Sequence, residues 1–186
     1  MINQESRADL RLATISALVQ QAAPHPLGRT AIMKLVYFLQ TLRNLPLGYD
    51  FRIYTYGPYD SQVLEDLKVA ELKSAVKSSV VGYAMGTGYA ITPGTEAGSI
   101  VARSPSITSF MADIASVIAD FGNRSAIDLE MASTIVFVDR IEASSGRPAT
   151  IPEAAQKVRE MKLRLDVGRI VQEAHSLKEK GYIMAA

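Results

Sequence analysis

The sequence predicts a mainly α fold with one small β-hairpin, in which a winged-helix-like N-terminal half carries C-terminal helices packed on it. Three observations point there. Apolar residues recur at helical spacing along most of the chain. Two short β-prone runs, Ser79 to Tyr83 and Tyr89 to Thr92, flank a glycine-bearing connection. Two helices, a strand, a helix and that hairpin follow one another in the order of a winged-helix module, with the hairpin as the wing. A single domain over residues 1–186 is expected, with a winged-helix-like part at 1–103, its hairpin at about 79–92, and a helical part at 104–186.

The first helix is expected over Ala8 to Ala23, with Leu10, Leu12, Ile15, Leu18 and Val19 on one stripe and Pro24-His25-Pro26 ending it. Gly28 to Leu42 is the second; Met33, Tyr37 and Phe38 widen its apolar surface, which suits a central position. Phe51 to Tyr56 alternates as a strand stopped by Gly57-Pro58. Asp60 can cap a helix running through about Val76, with Val63, Leu64 and Leu67 inward. The wing follows, joined through Ala84-Met85-Gly86-Thr87-Gly88 and closed by Pro93-Gly94. Ser104-Pro105-Ser106 opens a helix to about Phe121, and Ile127 to Ala143 is a strongly apolar one. Helices from about Ile151 to Leu163 and from Asp166 to Gly181 complete the chain.

Composition excludes several classes. With no cysteine, there are no disulfides, thiolate metal sites or cysteine nucleophiles. A formal net charge of +1 gives no bulk field that would single out nucleic acid or an anionic membrane. The most apolar stretch, Met131 to Val138, is far shorter than the roughly 20 residues of a membrane span, and the first residues carry no basic-then-apolar signal pattern. A cytoplasmic location is the expectation.

Four of the eight tyrosines fall between Tyr49 and Tyr59. Alternation places Phe51, Ile53 and Thr55 on one strand face and Arg52, Tyr54 and Tyr56 on the other. Tyrosine joins a large apolar body to one polar tip, so the cluster is either core or a surface that grips another molecule. On the second reading Arg52, Tyr54, Tyr56, Gly57, Pro58 and Tyr59 are the partner-binding residues. A further charged segment holds Lys157, Arg159, Lys162, Arg164 and Arg169 against Glu160 and Asp166, a local excess of +3. It reads as a solvated helix face or, through Lys157, Lys162 and Arg164, as contacts to an acidic partner or a nucleic-acid backbone.

A winged helix reading DNA in the usual way would place the Asp60 to Val76 helix in the major groove. Its Glu65, Asp66 and Glu71 oppose Lys68 and Lys73, with Lys77 just beyond it, and Val80 to Gly94 holds no lysine or arginine. Enzymatic readings find less. His25 lies between prolines, and His175 has no ligand or triad partner at a diagnostic spacing. Gly86-Thr87-Gly88 is a hairpin tip rather than a nucleotide loop. Glu65-Asp66 and Asp128-x-Glu130 point in different directions on their helices and serve to solvate them. No catalytic residue, metal site or cofactor is expected. The apolar Ile127 to Ala143 helix suits a core position and also permits a homodimer.

Lys34-Leu35-Val36-Tyr37-Phe38-Leu39-Gln40, followed by the Tyr49 to Tyr59 segment with its Tyr-Gly-Pro corner, resembles the Panacea (SocA-like, DUF4065) antitoxin domain and its YwgA-like relatives. Tyr59 after Gly57-Pro58, and an arginine-bearing strand before the corner, lean toward the YwgA-like branch. The resemblance implies a binding domain without catalysis, since Panacea domains neutralise diverse toxins by contact and one member delivers its toxin to a protease. The expected function is therefore a non-enzymatic, antitoxin- or adaptor-like protein-binding module whose partner is a protein, such as a toxin encoded nearby. A winged-helix DNA-binding regulator is the alternative, and an enzyme of unrecognised type ranks third.

Overall fold

Short polar side chains set where most helices begin. Ser6, Asp60, Ser104, Ser125, Thr150 and Asp166 each accept a hydrogen bond from a backbone N–H two or three residues on, pairing a donor that the helix itself leaves open. The computed structural model describes residues 5–83 and 86–186. In chain order its elements are α1 (Arg7–Ala22), α2 (Arg29–Leu42), β1 (Arg52–Tyr54), β2 (Gly57–Tyr59), α3 (Ser61–Leu72), β3 (Val76–Tyr83), β4 (Gly86–Pro93), α4 (Ala97–Ala102), α5 (Pro105–Phe121), α6 (Ala126–Ser144), α7 (Ile151–Met161) and α8 (Val167–Glu179). The fold is thus mainly α with two small antiparallel hairpins among the described residues. Two compact units divide it: one holds the chain up to Phe51 and from Asp60 to Arg124, the other Arg52–Tyr59 and Ser125–Ala186.

In the first unit, Leu27 forms a one-residue antiparallel bridge to Ile91 of β4. The succession of helix, bridge strand, two helices and hairpin is a winged-helix order. Ile15, Leu18, Ile32, Leu35, Leu39, Leu67 and Ile91 are fully buried, and Phe38 stacks on Phe121 with centroids 4.1 Å apart. The residues that carry the family resemblance have structural work here. Gln40 clamps Tyr49 in both directions: its amide donates to the Tyr49 carbonyl at 2.9 Å and its oxygen accepts the Tyr49 N–H at 2.9 Å. Tyr49 in turn donates its hydroxyl to Asp66 at 2.8 Å beneath the Arg11 guanidinium, which lies 4.3 Å from the ring centre. Asp66, expected to face water, is drawn inward by these two partners.

Several boundaries differ from expectation. The helix begun by Asp60 stops at Leu72 rather than near Val76. Ser74 adopts a left-handed φ of 54°, Ala75 N–H returns to Ala70 O and Ser74 N–H to Glu71 O, so a Schellman turn closes the helix and frees Val76 to begin β3. Gly86-Thr87-Gly88 belongs to β4, paired with Val81, Gly82 and Tyr83, and is not the hairpin tip; the Ala84-Met85 link lies outside the described residues. Gly94 is required where β4 leaves the sheet, because a Cβ there would collide with the Ser74 carbonyl. Helix α4 has too few residues to show a periodic stripe in the sequence.

In the second unit α6 supplies the core, with Leu129, Ala132, Ile135, Val136 and Val138 buried against β2, α7 and α8. Its end residues Ile127 and Ile141 remain 41% and 47% exposed. Thr150 and Glu153 form a capping box that starts α7. Asp139, 2% exposed, accepts the backbone N–H groups of Met184 and Ala185 at 2.9 Å each and pins the tail that follows α8.

Candidate functional site

The segment read as one strand ending at a Gly-Pro corner is a tight hairpin. Arg52 pairs with Tyr59, Ile53 with Pro58 and Tyr54 with Gly57, leaving Thr55 and Tyr56 as the turn. Gly57 makes this possible, since it continues the chain at φ 87°, a left-handed value that side chains disfavour. Pro58 is tolerated because it pairs with Ile53 one step from the Tyr54–Gly57 pair that closes the turn, a non-hydrogen-bonded position of the antiparallel ladder, and β2 has no second neighbour on its other edge.

Cross-strand partners share a face, so Ile53 and Pro58 lie on one side and Arg52, Tyr54 and Tyr59 on the other. Strand β2 packs on α6, and Gly57 and Pro58 are buried. Both are expected among the partner contacts; both instead are buried and shape the backbone of the hairpin. Tyr54 is 68% and Tyr56 60% exposed, so these two rings are not part of the core. Tyr49 is the core member, and Tyr54 and Tyr56 are surface, with the Tyr54 ring 5.7 Å from that of half-buried Tyr59.

The hairpin turn is tied down from a distant part of the chain. Lys162, just after α7, donates from its ammonium to the carbonyl oxygens of Tyr54 and, at 2.7 Å, Thr55. The same Nζ stands 3.8 Å from Oε1 of Glu130, while Arg164 pairs with Oε2 of that carboxylate. Glu130 is 2% exposed and does not solvate its helix, contrary to what its spacing from Asp128 suggests. The two cations explain how a carboxylate is held inside. Burial holds the Lys162 ammonium below the ordinary lysine pKa, the neighbouring Arg164 charge acts in the same direction, and Glu130 opposes them. Arg164 continues outward, its guanidinium carbon 5.0 Å from the Tyr56 ring centre, so one side chain connects the buried carboxylate to the exposed ring.

Beside β1 lies an open depression of about 550 Å³, lined by Ile53, Tyr54, Met161, Leu163, Glu160 and Arg164 among others. Met161 and Leu163 are 46% and 74% exposed. The structure therefore joins two segments that the sequence kept apart, the tyrosine strand and the basic run after residue 157. It also corrects that run: Lys162 is 5% exposed and turned inward, and so does not offer its ammonium to a partner. Lys157 lies elsewhere, paired with Glu142 at 2.5 Å on a smaller hollow. Of the three, Arg164 reaches both the surface and the hairpin. Nothing in the sequence marks Met161 and Leu163 as part of this site; for the burial of Glu130 the sign is a lone carboxylate inside the apolar run Leu129-Glu130-Met131.

Elsewhere both histidines are exposed, and among the described residues no group of three or more His, Cys, Asp or Glu side chains could hold a metal ion. No described helix is long and apolar enough to cross a membrane. The arrangement at the hairpin suits contact: exposed ring faces, a guanidinium and apolar side chains are presented on fixed backbone. Compared with protein-family models and with curated proteins, the chain matches none.

Proposed function

We propose that the protein is a non-enzymatic binding module of the Panacea and YwgA-like kind, which neutralises or delivers a partner protein by direct contact through the Tyr54–Tyr56 hairpin. The observation that carries this reading is the exposure of two tyrosines on a hairpin whose Tyr54 and Thr55 carbonyls are held by a buried lysine. Tyrosine and arginine bury much area for few frozen torsions, and a preformed turn lowers the ordering cost of binding.

The test is a photo-cross-linking residue placed at position 56 in cells, with position 77 as control, followed by reconstitution from purified components. A defined protein is expected to cross-link from position 56, to bind the purified chain, and to lose affinity for Arg52→Ala and Tyr54→Ala. Equal affinity for native chain and variants would discard the reading.

A winged-helix regulator is the second reading, favoured by the Leu27–Ile91 bridge that completes that order. On α3, however, Lys68 is paired to Glu65 at 2.9 Å and Leu72 is 85% exposed, where base-reading side chains would be needed. Retention on duplex DNA that falls steeply with added salt would support it.

A further inference from the structure

We propose that a second copy of this chain adds to the open edge of β3, so that two β3–β4 hairpins join through antiparallel β3 strands into one continuous sheet. No residue of the β1–β2 hairpin takes part, so this pairing and the partner-binding reading fail separately.

The backbone fixes which groups are open. Leu27 and Ile91 exchange two hydrogen bonds, at 3.0 and 2.9 Å, so Ile91 turns its N–H and C=O away from β3. Its cross-strand partner Ser78 then turns away from β4, and by alternation so do Val80 and Gly82. Among the described residues no backbone hydrogen bond takes up these groups, and no strand lies on that side of β3. Val80 is 68% exposed, and Gly82 is exposed as well.

Sheet edges are ordinarily guarded by proline, charge, a bulge or shortness. Strands β1 and β2 have 3 residues each and carry Arg52 and Pro58, and Leu27 covers β4 at Ile91. Strand β3 has 8 residues in an unbroken register, no proline, and a single charge, Lys77, near its base.

Self-complementarity selects a second copy as the occupant. With Val80 opposite Val80 of the second copy, Ser78 falls opposite Gly82 and Ser79 opposite Val81, so the open N–H and C=O groups of Ser78, Val80 and Gly82 all find partners. The two Lys77 side chains then stand on opposite sides of the two-fold axis, and no like charges face each other. A net charge of +1 adds little repulsion between copies. A two-stranded sheet is marginal in water, and the outer part of this one is open to solvent at Val80, Gly82, Gly86 and Thr87. Pairing gives each copy further strands there.

Sedimentation equilibrium over a concentration series measures the mass of the native chain, Val80→Pro and Val80→Lys. Proline at this position removes an N–H that the β3–β4 ladder does not use, and lysine brings like charges together at the axis. Urea denaturation establishes that each variant is folded. The native chain is expected to move from 20.2 kDa toward twice that mass as concentration rises, with a dissociation constant roughly tenfold or more higher in both variants. Because the chain has no cysteine, Val80→Cys should also give a disulfide-linked dimer on mild oxidation, whereas Thr87→Cys, also exposed but on β4, should not. A native chain that stays monomeric throughout would overturn the proposal and leave the edge to an extended segment of another protein. A dimer that both substitutions at Val80 leave intact, or equal linkage from both cysteine positions, would also overturn it and place the interface on another surface.

Discussion

Lys162 and Glu130 face each other inside the second unit with 3.8 Å between Nζ and Oε1, and the lysine turns its hydrogen bonds to the hairpin carbonyls instead of to the acid. The ion pair compensates charge, while the hydrogen bonds fix the turn that carries Tyr56. Removing either partner leaves the other's charge buried with fewer compensating groups.

Lys162→Met keeps the volume and removes the charge. It is expected to lower unfolding free energy by about 1–3 kcal/mol, because the Tyr54 and Thr55 carbonyls lose their donor and Glu130 then depends on Arg164 alone. The double variant with Glu130→Gln recovers a substantial part of that loss. Urea denaturation of the two proteins checks the claim, and no recovery in the double variant would contradict it.

The same lysine predicts a pH effect. Burial holds its folded-state pKa below the ordinary lysine value of 10.5, so in the interval just under 10.5 the unfolded chain binds more protons than the native one. Stability attributable to Lys162 therefore rises with pH through that interval. Native protein should gain on Lys162→Met as pH is raised toward 10.5; a narrowing gap would mean that Glu130 outweighs burial.

At the start of α7, hydrogen bonds from Thr150 to the Glu153 carboxylate, first from its backbone N–H and then from its hydroxyl, hold that group's pKa below 4.5. The contribution is present above 4.5 and is lost as pH falls through the lower folded value. Native protein should exceed Glu153→Gln in urea midpoint at pH 7, and the difference should vanish in acid.

Tyr54→Ala and Tyr56→Ala are expected to change stability by less than about 1 kcal/mol each, as exposed side chains do. Both should weaken partner binding by about 2 kcal/mol or more, roughly thirtyfold. Calorimetric titration beside thermal unfolding separates the two effects.

Tyr49→Phe and Gln40→Leu should behave in the opposite way. Gln40→Leu leaves the Tyr49 N–H and carbonyl without their partner and Tyr49→Phe removes one of the bonds that hold Asp66, at a cost of about 1–3 kcal/mol, and neither touches the exposed hairpin face. Partner affinity measured on folded protein should stay unchanged. A large affinity loss would place the Gln40–Tyr49 pair in the binding surface.

Much of this organisation was legible in the chain itself. Asp60, Ser104 and Asp166 mark helix starts because a short acceptor side chain next to an apolar stripe satisfies a local need, and local needs are written in neighbouring residues. The same holds for the α2 stripe and for the β3–β4 hairpin. Tertiary structure alone decided that Tyr49 is core and Tyr54 surface, that Glu130 is buried, and that Lys162 is a tie rather than a contact. Those outcomes depend on partners far away in sequence, Lys162 reaching back to Tyr54 across 108 positions, and burial of a charge is favourable only once such a partner has arrived. A period of apolar residues says which face a helix hides; it does not say which distant side chain will meet the exception.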